Sequence, residues 1–94
     1  MKKYIEFDDF KNILNNLKLN EEITFYSEIE EGFADEYDFK VIDFHDTEVI
    51  LYNVPQTNQL GVIQDSMYMT RDEEMLEVWQ LLCGNGEYKV YINK

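Results

Sequence analysis

Apolar residues recur along the chain with two different periods, and the changes of period divide it into elements. In DDFKNILNNLKLN, Phe10, Ile13, Leu14 and Leu17 stand at i, i+3, i+4 and i+7, one face of a helix. Asp8 or Asp9 is placed to cap it and to meet the positive end of its dipole. The spacing predicts helix one over residues 8 to 18. From Glu22 the period becomes two: Ile23, Phe25 and Ile29 alternate with Glu22, Thr24, Tyr26, Glu28 and Glu30, which predicts a strand with one wet face. Gly32 marks a turn. In a second strand Tyr37, Phe39 and Val41 alternate with Asp38 and Lys40, until the consecutive apolar pair Val41-Ile42 breaks the pattern as a bulge would.

TEVILYNV is apolar on both faces and reads as a central strand ended by Pro55. LGVIQDSMYM carries a weaker strand pattern, interrupted by Gly61 and Asp65. In TRDEEMLEVWQLLCGNG, Thr70 and Glu73 have the spacing of a capping box, and Asp72, Glu73 and Glu74 suit a helix N-terminus. Met75, Val78, Trp79 and Leu82 line one face with Leu76 and Leu81 beside it, and Gly84 suits the C-terminal cap, so helix two is expected over residues 71 to 83 with Trp79 in the core. EYKVYIN closes the chain as a strand with Tyr88, Val90 and Ile92 on one face. This order predicts an α+β fold, a single domain over residues 1 to 94: a largely antiparallel sheet of about four to five strands with two helices packed on one face.

Composition agrees with one domain and narrows its partners. A chain of 94 residues has room for one core, and 45% hydrophobic with 15% aromatic residues supplies the apolar surface that disordered acidic chains lack. Twenty acidic residues against eight basic ones give a net charge of -12, beyond the roughly 2 to 8 units that keep a small domain soluble. Such charge destabilises the compact state by self-repulsion. It excludes direct contact with nucleic acid or an anionic membrane, both of which require Lys or Arg, and it points to a basic protein as partner. The single cysteine, Cys83, has no intramolecular partner, and MKKYIEFDDF is broken by Glu6, Asp8 and Asp9 where a leader would be apolar. The longest strongly apolar run, VILY, falls far short of the ~20 residues of a membrane helix, so a cytoplasmic location is expected.

Chemistry of other kinds finds little footing. Asp43, His45, Asp46 and Glu48 are ligand types, but no second His or Cys accompanies them and no calcium-loop pattern matches, so neither metal nor cofactor is expected. A metal-dependent enzyme, the rival from another class, requires Asp43, His45 and Asp46 to converge. Cys83 falls at the carboxyl end of helix two, where the dipole disfavours a thiolate, and a pair with His45 is not expected to act as nucleophile and base. The chain is therefore expected not to be an enzyme.

The acidic hairpin of residues 22 to 44 is the informative feature. Side chains on one strand face recur every ~6.6 to 6.8 Å, close to two axial steps of ~3.4 Å between phosphates of one DNA strand. Glu22, Glu28, Glu30 and Asp38 are thus expected to form a phosphate-like row, with Tyr26, Glu31, Asp35 and Glu36 around it as partner contacts. Glu77 joins this set because it stands i+4 from Glu73, a like-charged pair that costs roughly 0.2 to 0.5 kcal/mol without local benefit. The expectation is a small acidic inhibitor, a nucleic-acid mimic that binds the basic groove of a nucleic-acid-binding enzyme. It resembles in type the anti-restriction and anti-CRISPR proteins of phages and mobile elements. The alternatives are an immunity protein or antitoxin that blocks a basic toxin, and a non-catalytic acidic adaptor domain.

Overall fold

A computed structural model of the protein describes residues 1–58, 61–71 and 73–93. The two periods of the sequence become β1 (Lys2–Ile5), α1 (Phe7–Asn16), β2 (Glu22–Glu30), β3 (Phe33–Phe44), β4 (Thr47–Asn58), β5 (Gly61–Met69), α2 (Met75–Leu82) and β6 (Lys89–Asn93), with a turn of 3-10 helix over Gly84–Gly86. The strands form one antiparallel sheet in the order β1-β6-β2-β3-β4-β5. The α+β class holds, but the strand count is six. The additional strand is KKYI, too short to show a period, which pairs with β6 from Lys2↔Asn93 to Ile5↔Val90.

Directly opposed residues share a face, so the register sorts the side chains of the sheet. On one face Phe25 opposes Tyr37, Ile23 opposes Phe39, and Phe39 in turn opposes Tyr52. Both helices cover this face. Phe10 of α1 is fully buried against the rings of Phe25 and Phe39, at centroid distances of 5.0 and 5.7 Å, with Trp79 of α2 at 5.3 Å. Trp79 packs on this core while remaining half-buried. The hydroxyl of buried Ser27 donates to the Leu82 carbonyl at 2.5 Å, tying β2 to the last turn of α2 and satisfying an acceptor the helix itself leaves open.

Several element ends depart from the sequence pattern for identifiable reasons. α1 is capped by Glu6, not by Asp8 or Asp9: the Glu6 backbone N–H donates to the Asp9 carboxylate at 3.0 Å, and the pair forms a capping box. The helix stops at Asn16, where the Arg71 guanidinium donates to the carbonyls of Leu14 and, at 2.7 Å, Leu17, placing positive charge at the negative dipole end. Arg71 also pairs with Glu48 at 3.3 Å. With Arg71 committed to α1, α2 begins only at Met75, and the Thr70 hydroxyl meets the Glu73 side chain at 3.4 Å instead of capping the helix. Asp72, expected in the first turn of helix two, and Leu60, expected at the start of a strand, lie outside the described residues. Pro55 does not end β4, which continues to Asn58; beyond Tyr52 that strand pairs with β5 alone, the one-sided setting in which a sheet tolerates proline. Nor is there a bulge at Val41-Ile42. β3 and β4 stay in register there, Ile42 is half-buried on the opposite face from Val41, and the register shift falls instead between Glu28 and Glu30.

The β3–β4 ladder runs only from Phe39↔Tyr52 to Phe44↔Thr47. Past that row the sheet forks. One arm is the β2–β3 hairpin, backed by β6 through Tyr26↔Tyr91, Ser27↔Val90 and Glu28↔Lys89. The other is the β4–β5 hairpin, which among the described residues has no further strand beside it. The rings of Phe39 and Tyr52, stacked at 5.3 Å, sit where the arms part.

Candidate functional site

The register distributes the expected contact residues over three places. Glu22, Tyr26, Glu28, Glu36 and Asp38 belong to the face that the helices leave uncovered, where Glu22 opposes Lys40, Tyr26 opposes Glu36 and Thr24 opposes Asp38. Asp35 opposes buried Ser27 and therefore lies on the helix side. Glu30 and Glu31 stand at the end of the hairpin, where the shifted register sets Glu30 against Phe33 and out of step with Glu22 and Glu28. Glu77 is exposed on α2, apart from the hairpin row. Its neighbourhood is that of the Tyr52 phenol, whose pKa is raised first by burial and then by the negative charges of Glu74 and Glu77.

Glu28 is engaged within the molecule. Lys2 approaches its carboxylate at 3.1 Å and the Tyr4 hydroxyl donates to it at 2.9 Å. These two hydrogen bonds, that of Lys2 foremost, hold the Glu28 carboxyl below the usual carboxylate range, and the same contact raises the Tyr4 phenol. Around them runs an aromatic strip: Tyr91 stacks on Tyr26 at 5.1 Å and meets Tyr4 edge-on at 5.8 Å, with Lys2 over the Tyr91 ring and Lys89 over the Tyr4 ring. Asp38 is engaged as well, accepting from the Thr24 hydroxyl at 2.7 Å. Of the four carboxylates expected to form an even row, two are thus bonded internally, Glu22 faces a lysine and Glu30 is displaced by the register shift.

At the hairpin end Glu30, Glu31 and Glu36 stand exposed in solvent, and among them Phe33 is 58% exposed. This acidic and aromatic hairpin end is the strongest candidate contact surface. Sequence reasoning found its acids and missed Phe33, whose place in the alternation was hidden by the bulge. It also missed Lys2, Tyr4 and Tyr91, because nothing in the alternation shows that the first strand lies within reach of Glu28. Where the arms part, a depression of about 290 Å³ is lined by Glu22, Thr24, Asp38, Lys40, Leu51 and Asn53, among others. It lies next to the acidic arm, on the face that the helices leave uncovered.

The chemical alternatives are separated by the fold. Cys83 is buried, its thiol directed at the Gln80 carbonyl at 3.8 Å, beside a depression of about 380 Å³ that Trp79, Tyr88 and Lys89 also line. Leu82, its neighbour, bonds to Ser27 opposite Asp35, whereas His45 follows the other end of β3, ~30 Å of strand away. Thiol and imidazole do not meet. In the native state Cys83 should therefore react with a soluble alkylating agent much more slowly than in the denatured chain, and Cys83→Ser should leave partner binding intact; rapid native labelling coupled to loss of binding in the variant would reverse this assignment. His45 and Asp46 form the β3–β4 turn with φ of 51° and 65°, and Asp43, His45, Asp46 and Glu48 are all exposed. Among the described residues no group of three or more His, Cys, Asp or Glu is placed to hold a metal ion, and no helix is long and apolar enough to cross a membrane. Comparison of the chain with protein-family models, with curated proteins and with solved structures finds no match in any of the three.

Proposed function

We propose that this chain is a non-catalytic acidic inhibitor that presents the end of its β2–β3 hairpin to the basic groove of a nucleic-acid-binding protein in the cytoplasm, in the manner of anti-restriction and anti-CRISPR proteins. The observation that carries this reading is where the negative charge goes unanswered. Among the described residues the ion pairs go to Asp8, Glu28 and Glu48, and none of them lies at the hairpin end. Glu30, Glu31 and Glu36 stay exposed on an arm whose backbone is held on one side by β6 and whose aromatic Phe33 offers apolar contact at the centre of the charge. A rigid strand pair bearing unneutralised carboxylates attracts a basic groove by the same long-range field that nucleic acid uses. Exposed Phe33 also favours a second reading, an immunity protein that seats one aromatic anchor in a pocket of a basic toxin.

The two readings separate in one experiment. The partner is captured from lysate on the immobilised chain and then challenged with excess duplex DNA or RNA. A mimic releases it, because both ligands need the same groove, whereas a toxin plugged through Phe33 stays bound. The charge itself is tested with Glu30→Gln, Glu31→Gln and Glu36→Gln together. These positions are chosen because neutralising Glu28 or Asp38 also breaks an internal hydrogen bond. Relief of repulsion should hold or raise the melting temperature, while partner affinity falls by about tenfold or more at ~50 mM salt and by less at ~300 mM. Unchanged affinity over that range, with the partner retained against nucleic acid, sinks the mimicry reading.

A further inference from the structure

Charge is spread through most of this chain but withheld from one part of it. Residues 49 to 64 contain no charged residue at all, and between residues 49 and 70 the only one is Asp65. That stretch holds β4 from Val49 onward and all of β5, and β5 is an edge of the sheet. Its nine residues, Gly61–Met69, pair with β4 on one side and, among the described residues, with nothing on the other, so alternate residues direct N–H and C=O groups outward. β5 contains neither Lys nor Pro, the residues that usually protect such an edge. The opposite edge differs on each count: β1 has four residues, two of them lysines. Next to the free edge, Met67 and the successive residue Tyr68, which point to opposite faces of the strand, are each 47% exposed, and Tyr68 joins Phe44, 42% exposed, at a ring distance of 4.8 Å.

We propose that β5 is a self-association edge. Two copies of the chain pair β5 with β5 antiparallel about a two-fold axis, so that the sheet of one protomer continues into that of the other. The charge distribution selects a second copy over a foreign strand. A basic partner gains from carboxylates around its docking edge, and nothing in its recognition requires them to be removed. A second copy carries the same charge of -12, and two such molecules approach at least cost where each presents least charge, which in β5 is Asp65 alone. The antiparallel two-fold arrangement is the one in which an edge strand complements itself. Met67 on one face and Tyr68 on the other then lie along the new ladder, while the acidic hairpins remain on the far arm of each protomer.

Sedimentation or light scattering of the whole chain, from ~10 µM to ~1 mM, should show the mass rising from 11.3 kDa toward twice that value. Association should strengthen about tenfold between ~50 and ~500 mM salt, because added ions screen the repulsion that opposes it. Tyr68→Glu, which sets new negative charges at the shared edge, should weaken association by about tenfold. Leu76→Glu changes net charge equally on the exposed side of α2, where Leu76 is 52% exposed, and should weaken it far less. Hydrogen exchange on the unaltered chain provides a readout that needs no variant: amides over residues 61 to 69 should slow on concentrating, and those of β1 should not. A single-chain mass at every concentration and salt, equal effects of the two Glu variants, or protection on β1 in place of β5 would each overturn the proposal.

Discussion

Phe10→Ala should cost about 3 to 5 kcal/mol, the upper range for removing a buried aromatic ring. Phe10 has no exposed surface, and its ring is the one that both helices and the sheet share, lying against Phe25 and Phe39 from below and Trp79 from the side. Neighbours held by strand register cannot close on the space it leaves, so the cavity remains and its lining loses dispersion contacts outright. A small domain has about 5 to 15 kcal/mol of stability in total, and one burdened by a charge of -12 has little to spare. Urea unfolding followed by far-UV circular dichroism measures the loss. Phe10→Leu, which keeps most of the volume, should recover much of it; a variant Phe10→Ala as stable as the parent would show that α1 is not packed as described.

Gly84→Ala should be the costliest small change in the chain, about 2 to 4 kcal/mol, because two penalties coincide. Gly84 takes a φ of +55°, in the left-handed region that favours glycine, and a Cβ there would stand 2.5 Å from Cδ2 and Cε2 of the Tyr88 ring. The Tyr88 backbone is held by its N–H bond to the Cys83 carbonyl at 2.8 Å and the side chain is half-buried, so the ring has little room to turn away from a Cβ at Gly84. Gly86 supplies the comparison: its φ is +97°, but an added Cβ meets nothing within 4 Å, so Gly86→Ala should carry the backbone penalty alone. In the background of Tyr88→Ala the overlap disappears, and the cost of Gly84→Ala should fall toward that of Gly86→Ala. Equal unfolding midpoints for Gly84→Ala and Gly86→Ala in the parent background would refute the steric part of this account.

The parts of the fold that were legible in the sequence are those whose pattern is long enough to repeat. Phe10, Ile13, Leu14 and Leu17 announce α1, and Met75, Val78 and Leu82 announce α2, because a helix of two turns or more shows its stripe several times over. The alternation around Phe25 and Phe39 likewise announces β2 and β3. β1 has four residues, which is no more than two repeats of a strand's period. The start of α2 was misplaced for a different reason: Thr70 and Glu73 have the right spacing for a cap, but Arg71 between them is drawn away to the end of α1, and that competition is tertiary. The candidate site was legible as charge and illegible as geometry. Alternation separates Glu28 from Phe25 correctly, but nothing local shows that Lys2 and Tyr4 arrive beside Glu28 or that the register shift beyond it removes Glu30 from the row.

The forked sheet has a mechanical consequence. Six residue pairs, Phe39↔Tyr52 to Phe44↔Thr47, join β3 to β4, and past them no ladder pair among the described residues fixes one arm against the other. Strand ladders resist stretching along their hydrogen bonds but accept a broad range of twist, so the joint behaves as a torsional pivot with the Phe39–Tyr52 stack at its apex. The arms are then levers of unequal stiffness, the acidic one braced by β6 and the β4–β5 one flanked by no further strand among the described residues. A load applied to the acidic arm passes to the helices through Ser27 and Phe25, whereas the β4–β5 arm is tied to the core past the joint by Val54 and by no neighbouring strand among the described residues, and is the freer of the two to turn about the pivot.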